Sequence, residues 1–302
     1  MNRVPLLFCS SVYHLLEEKD LKSMTRLSTG SCSVDATSTL KKRRDLEVLL
    51  CQDEEGSDVS ICVTHRHATV RPVFDLQFDR ITKMEIYMPG FLRDVTQFSM
   101  ERFRSDVLPV LRKIVVNCSF SCTSYNSDVL ANALYEAFRD VYSFSKIEIR
   151  NSGEQRYEFM KTQLQSGVLR YAHICGAGWP RTLEKYFFPF VKSPMFKSLN
   201  VNDPGLQVNF DTVSAFFDGF FNRGIKEDCP TYLILSGTPS FPFEDLFKLY
   251  SEFAEEGLHA MGMGMLKKRW RRGNRQLELH YVLPQNLLGS TTPFLHCNGT
   301  LC

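Results

Sequence analysis

The chain has 302 residues, 43% hydrophobic and 23% charged, with a formal net charge of +2. This is a soluble globular balance, long enough for one extended domain with a small module or for two ordinary domains. A net charge so near zero excludes a global pull toward nucleic acid or anionic membrane, and no run approaches the roughly 20 apolar residues that a membrane span needs.

The N-terminal stretch "VPLLFCSSVYHLLEEKDLKSMTRLS" runs from residue 4 to 28. Phe8, Val12, Leu15 and Leu16 fall on one helical face, and Pro5 suits a first turn where its missing N–H is not needed. Leu21, Met24 and Leu27 repeat at three-residue spacing, Asp20 is placed to cap the helix they form, and Gly30 ends it. Residues 33–36 start a third helix running into the cations at 41–44. Helices this short cannot bury their apolar faces alone. Pro5 and the acids from Glu17 interrupt any secretory signal pattern, so the ten cysteines are expected to be reduced, in the cytoplasm or nucleus. Asn117-Cys118-Ser119 and Asn298-Gly299-Thr300 are then chance matches to the glycosylation pattern.

These residues resemble the F-box. That module reads Leu-Pro, an apolar helix, Asp-Leu, and a second apolar helix ending near Val-Ser. Here Val4-Pro5, Phe8, Val12, Leu16, Asp20-Leu21 and Leu27-Ser28 occupy the matching positions. The aromatic residue that usually follows is missing from residues 29–33. The start also looks like nematode F-box-type families in which a divergent α/β region follows. The resemblance covers about residues 1–45 and implies a three-helix module that binds the Skp-type adaptor of a cullin–RING ubiquitin ligase. Val4, Pro5, Phe8, Val12, Leu16, Asp20 and Leu21 would carry that docking. The rest of the chain would hold an unknown target protein. A second reading stays open, in which the hairpin only caps the body of a stand-alone interaction scaffold.

The body, residues 46–302, opens with extended structure. "DLEVLLCQ" and "DVSICVTH" flank a turn at 54–57 and read as a hairpin, with "VRPVFDLQF" as a third, edge strand. Short β-rich runs then recur at 83–88, 113–118, 146–151, 169–174, 197–202, 231–236 and 276–281. Between them lie amphipathic stripes: Val129 to Phe138, Phe210 to Phe221, and Phe243 to Phe253. Runs such as "KIEIRN" alternate polar and apolar residues, as in a sheet with one wet face, whereas a doubly wound core would be apolar throughout. The expected fold class is therefore α/β, a helical module followed by an irregular leucine-rich-repeat-like solenoid of strands and helices.

Chemistry is sparse. No nucleophile elbow, Walker A loop or His-Glu-x-x-His sequence occurs, so no enzyme activity, cofactor or metal site is read from the chain. "CGAGWP" at 175–180 and "GMGM" at 262–265 read as turns, and the histidines are scattered. "KKRWRR" at 267–272 is the densest charge run. Its main reading is a solvated edge or loop; a role in nuclear import or in gripping nucleic acid, with Trp270 stacking a base, ranks below that.

Overall fold

The computed structural model describes residues 12–26, 31–88, 90, 92, 94–123, 128–150, 154–203, 205–222, 231–237, 239–242, 244–255, 259–261, 265–282 and 294–301. The chain is mixed α/β and divides into two compact units, Met1–Ala137 and Phe138–Cys302. The boundary expected near residue 45 lies inside the first of these.

In the first unit, residues 12–15 are helical, followed by α1 (Glu18–Arg26) and α2 (Ser31–Lys42). Glu18 and Asp20 in the first turn of α1, and the basic residues in the last turns of both helices, match the helix dipole. Glu18 also pairs with Lys22 one turn on, at 2.5 Å. Tyr13, Leu21 and Ala36 form a small core of their own, with Leu16, Met24 and Leu40 packed against it. The third helix thus forms without the aromatic that the family pattern carries.

The sheet of this unit contains β1 (Arg44–Gln52), β2 (Asp58–His65), β3 (Ala68–Val70), β4 (Asp79–Tyr87), β5 (Thr96–Ser99) and β6 (Val115–Cys122). Its order is β6-β4-β1-β2-β3, with β5 also on β2. β1 pairs antiparallel with β2 and parallel with β4, and β4 pairs parallel with β6. The β1–β2 turn is closed by Asp53, which accepts from Ser57 Oγ at 2.8 Å and from the Asp58 N–H at 3.0 Å. Gly56 there has φ +77°, a conformation that glycine adopts without strain.

The third strand expected over residues 70–78 does not form; of these only Val70 lies in a strand, at the end of β3. Pro72 lacks an N–H for the ladder, and Asp75 folds the chain back by accepting the Gln77 N–H at 2.9 Å. A helical stretch then joins Met100–Arg102, a π turn at Phe103–Val107 and α3 (Leu108–Ile114). Helix α4 (Asp128–Phe138) buries Leu130, Leu134 and Tyr135. Gln52 accepts the Leu130 N–H at 2.8 Å, satisfying a free donor of its first turn.

In the second unit β7 (Phe144–Arg150), β8 (Tyr171–Cys175), β9 (Ser198–Asn202) and β10 (Thr231–Ser236) lie side by side and parallel, in chain order. Between them run α5 (Arg156–Leu164), α6 (Phe187–Lys192) and α7 (Phe210–Asn222), and α8 (Glu244–Lys248) follows β10. Buried and half-exposed positions alternate along these strands, so one face is closed and the other open. The closed face carries Ile147, Ile149, Ile174, Leu199, Val201, Leu233 and Leu235. Edge-to-face rings tie the helices to the sheet and to the loop before β9, among them Phe144 with Phe159 and Phe196 with Phe216.

The sheet is not a solenoid, and the repeat-like expectation is corrected here. The run at 276–281 is no seventh repeat. It belongs to β13 (Arg275–Val282), which pairs antiparallel with β12 (Met265–Arg272) and with β14 (Phe294–Leu301). β11 (His259–Met261) pairs antiparallel with β12, and β14 lies antiparallel beside β10. Only Gly273 and Asn274 separate β12 from β13. A link that short makes a hairpin, whereas a parallel crossover needs a dozen or more residues.

Within the stripe from Phe243 to Phe253 the described residues form the short α8 and a 3-10 turn at Ser251–Phe253. Tyr250 turns into the left-handed region at φ 50°, held by its hydroxyl donating to Asp218 at 2.6 Å and accepting from Asn222 at 2.8 Å. Gly30, expected to end the second helix, lies outside the described residues.

Candidate functional site

Of the seven residues read as docking positions, Val4, Pro5 and Phe8 lie outside the described residues. Val12 begins the helical residues 12–15 and is half-buried. Leu16 packs partly against the Tyr13–Leu21–Ala36 core, while Leu21 is fully buried within it. Asp20 is exposed in the first turn of α1 rather than at its cap, because the helix already begins at Glu18. The described apolar side chains that point to water here are Leu15, 63% exposed, and Val34, 72% exposed.

The end of the first helical segment is anchored by cations from the link before β1 and from β4. Arg43 Nη1 and Arg80 Nη1 both donate to the Leu16 carbonyl, at 2.7 and 2.5 Å. The same two guanidinium groups face Asp45, at 3.2 and 3.9 Å. Beside them Arg44 makes a fork to both oxygens of Asp79, each at 2.6 Å. His14 sits against this group. Burial and the Arg43 charge push its imidazole below the usual histidine range, with the Gln77 backbone and Asp79 acting the other way. Asn117, in the left-handed region at φ 50°, bulges from β6 and donates to Glu17 at 3.4 Å.

A shallow open groove of about 680 Å³ lies in the same unit, lined by Arg44, Val70, Arg71, Val73, Phe74, Asp75 and Leu76. The sequence reading missed it because residues 71–78 were assigned to a strand.

On the open face of the second unit a row crosses the sheet in register, polar except at Ile234: Glu148, His173, Asn200, Ile234, His296, His280 and Lys267. Glu278 collects charge at one end. Burial works to raise its carboxyl, but hydrogen bonds from Lys267, Arg269 and His280 outweigh that and hold it at about 2.

The basic run is therefore not a bare solvated edge. Lys267 and Arg269 pair with Glu278, Lys268 donates to the Glu255 carbonyl, and Arg271 pairs with Glu255. Arg272 reaches the Phe221 carbonyl at the end of α7. Trp270 is fully buried, stacks edge-to-face on Phe217 at 4.9 Å and donates to the Leu249 carbonyl at 2.9 Å, so it presents no face to a base.

Among the described residues, no group of three or more His, Cys, Asp or Glu is arranged to hold a metal ion, and no helix is long and apolar enough to cross a membrane. The geometry defines a mixed α/β protein with an N-terminal helical cluster and an open polar sheet face. Comparison with protein-family models, curated proteins and solved structures finds no match to this chain.

Proposed function

We propose that the chain is an F-box-like substrate-recruiting subunit of a Skp–cullin–RING ubiquitin ligase. In this reading its first helices dock on a Skp-type adaptor and its α/β region holds a target protein, in the cytoplasm or nucleus. The observation that carries it is the helical cluster at residues 12–42. It closes its own small core around Tyr13, Leu21 and Ala36, yet leaves Leu15 and Val34 facing outward. Large side chains left in water gain about 1.5–3 kcal/mol each when a partner fully covers them. The chemistry of ubiquitin transfer would belong to partner subunits. The half-exposed face of the second unit, rich in His, Asn and paired charges, suits a polar protein surface.

The test is co-purification of adaptor and cullin with the full chain. Leu15→Glu should abolish it without altering the melting temperature, because Leu15 takes no part in the core. Equal recovery from wild type and variant would refute docking through the outward face that carries Leu15.

The scaffold reading also has an observation in its favour: Arg43 and Arg80 clamp the Leu16 carbonyl to the sheet of the same unit. Deleting residues 1–42 separates the two. Aggregation of the remainder favours the cap, and a cooperatively folded remainder favours a separable module.

A further inference from the structure

The C-terminal end of β8 carries a cluster that the adaptor reading does not use. His173 Nδ1 lies 3.2 Å from Glu148 Oε1, and His173 Nε2 lies 2.9 Å from Cys175 Sγ. A carboxylate can only accept, so Nδ1 carries the ring proton and Nε2 is left to accept the S–H. Strand alternation puts His173 and Cys175 on one face, and the parallel register puts Glu148 beside His173. That face is reachable: the side chains of His173 and Glu148 are 31% and 29% exposed, and Cys175 keeps 8%.

The turn that follows is fixed in place. Gly176 and Gly178 take φ of 81° and 92°, which glycine adopts without strain. Asp203, fully buried, accepts the Trp179 N–H at 2.9 Å, and the Trp179 indole donates to the Cys175 carbonyl at 3.1 Å. The C-terminal ends of parallel strands are where α/β sheets gather reactive groups.

We propose that Cys175, His173 and Glu148 form a nucleophilic thiol site that accepts an acyl group, with Cys175 as nucleophile, His173 as base and Glu148 orienting the imidazole. This does not rest on the adaptor reading. Burial, and then Glu148, push the thiol up to about 11, with Arg150 acting the other way. The thiol is thus protonated at neutral pH, and its proton must leave as the new bond forms. Sulfur adds to the carbonyl carbon of an ester or thioester, and the S–H proton passes to His173 Nε2. The bond to the leaving oxygen or sulfur then breaks, and that atom takes the proton from Nε2. S-acyl Cys175 and a free alcohol or thiol result, with no change of oxidation state. The charged residues facing the pair are Lys146, Glu148 and Arg150 of β7; β9 presents the uncharged Ser198, Asn200 and Asn202. Lys146 lies 3.8 Å from Glu148.

The experiment treats the full chain with p-nitrophenyl acetate, follows p-nitrophenolate release and maps the acetylated peptide. The expected result is one acetyl group on Cys175, with release of one equivalent of p-nitrophenolate. His173→Gln should slow it by about tenfold or more. Cys175→Ala should remove the burst while circular dichroism stays unchanged. An unlabelled Cys175 in the wild type overturns the proposal. So does a folded His173→Gln variant that labels at the wild-type rate.

Discussion

Arg80, buried in β4, donates from Nη1 to the backbone carbonyl of Leu16 at 2.5 Å, and so fastens the end of the first helical segment to the sheet. The Leu16 carbonyl is one of the acceptors that a helix end leaves without an internal partner. A guanidinium supplies both the hydrogen bond and a favourable charge at the negative end of the helix dipole.

Replacing Arg80 with Ala should therefore destabilise the protein by about 1.5–3 kcal/mol, from the lost charge-assisted bond, with Arg43 still donating to the same carbonyl. Urea denaturation would measure the loss. Hydrogen exchange should rise first in residues 12–26. Exchange unchanged there would mean that Arg43 alone holds the helix.

Leu21→Ala should behave differently from Leu15→Glu. Leu21 is fully enclosed by the helical cluster, and its truncation should lower stability by about 2–5 kcal/mol. Leu15→Glu, at a 63% exposed position, should change stability by about 0.5 kcal/mol or less. Comparable losses from both would show that something in the free chain already covers Leu15.

Trp270→Ala should destabilise by about 3–5 kcal/mol, since it removes a fully buried ring and leaves the Leu249 carbonyl without its indole donor. Thermal unfolding checks this. A variant as stable as wild type would mean that the ring packs elsewhere in solution.

Glu278 predicts an acid limb. Its folded carboxyl sits at about 2, below the 4.5 of a free glutamate, so the folded state binds its proton less readily than the unfolded chain. The stabilisation is full above the unfolded value and is lost as pH falls from about 5 toward 2. With solvent screening, about 1–2 kcal/mol is expected. Glu278→Gln should be less stable than wild type at pH 7, and the gap should close by pH 2. A gap constant across that range would assign the pH dependence elsewhere.

Much of the secondary structure is written locally. Alternation in "DLEVLLCQ" and "DVSICVTH", and the phenylalanine stripe from Phe210 to Phe221, are periodic over enough residues to fix element type without tertiary help. The 71–78 stretch misled because its apolar residues match a strand, while Pro72 and the Asp75 side chain remove the backbone pairing a strand requires.

The pairing of distant pieces was not legible. The sequence by itself determined that one face of the second unit's strands is apolar and the other polar, because side-chain alternation is a property of the extended backbone. Only the tertiary structure decided that β14 lies beside β10, that Trp270 turns inward under a run of cations, and that Glu148, His173 and Cys175 meet. Each of these depends on register between segments far apart in the chain. Register is set by the summed burial of whole strands, which no local pattern encodes.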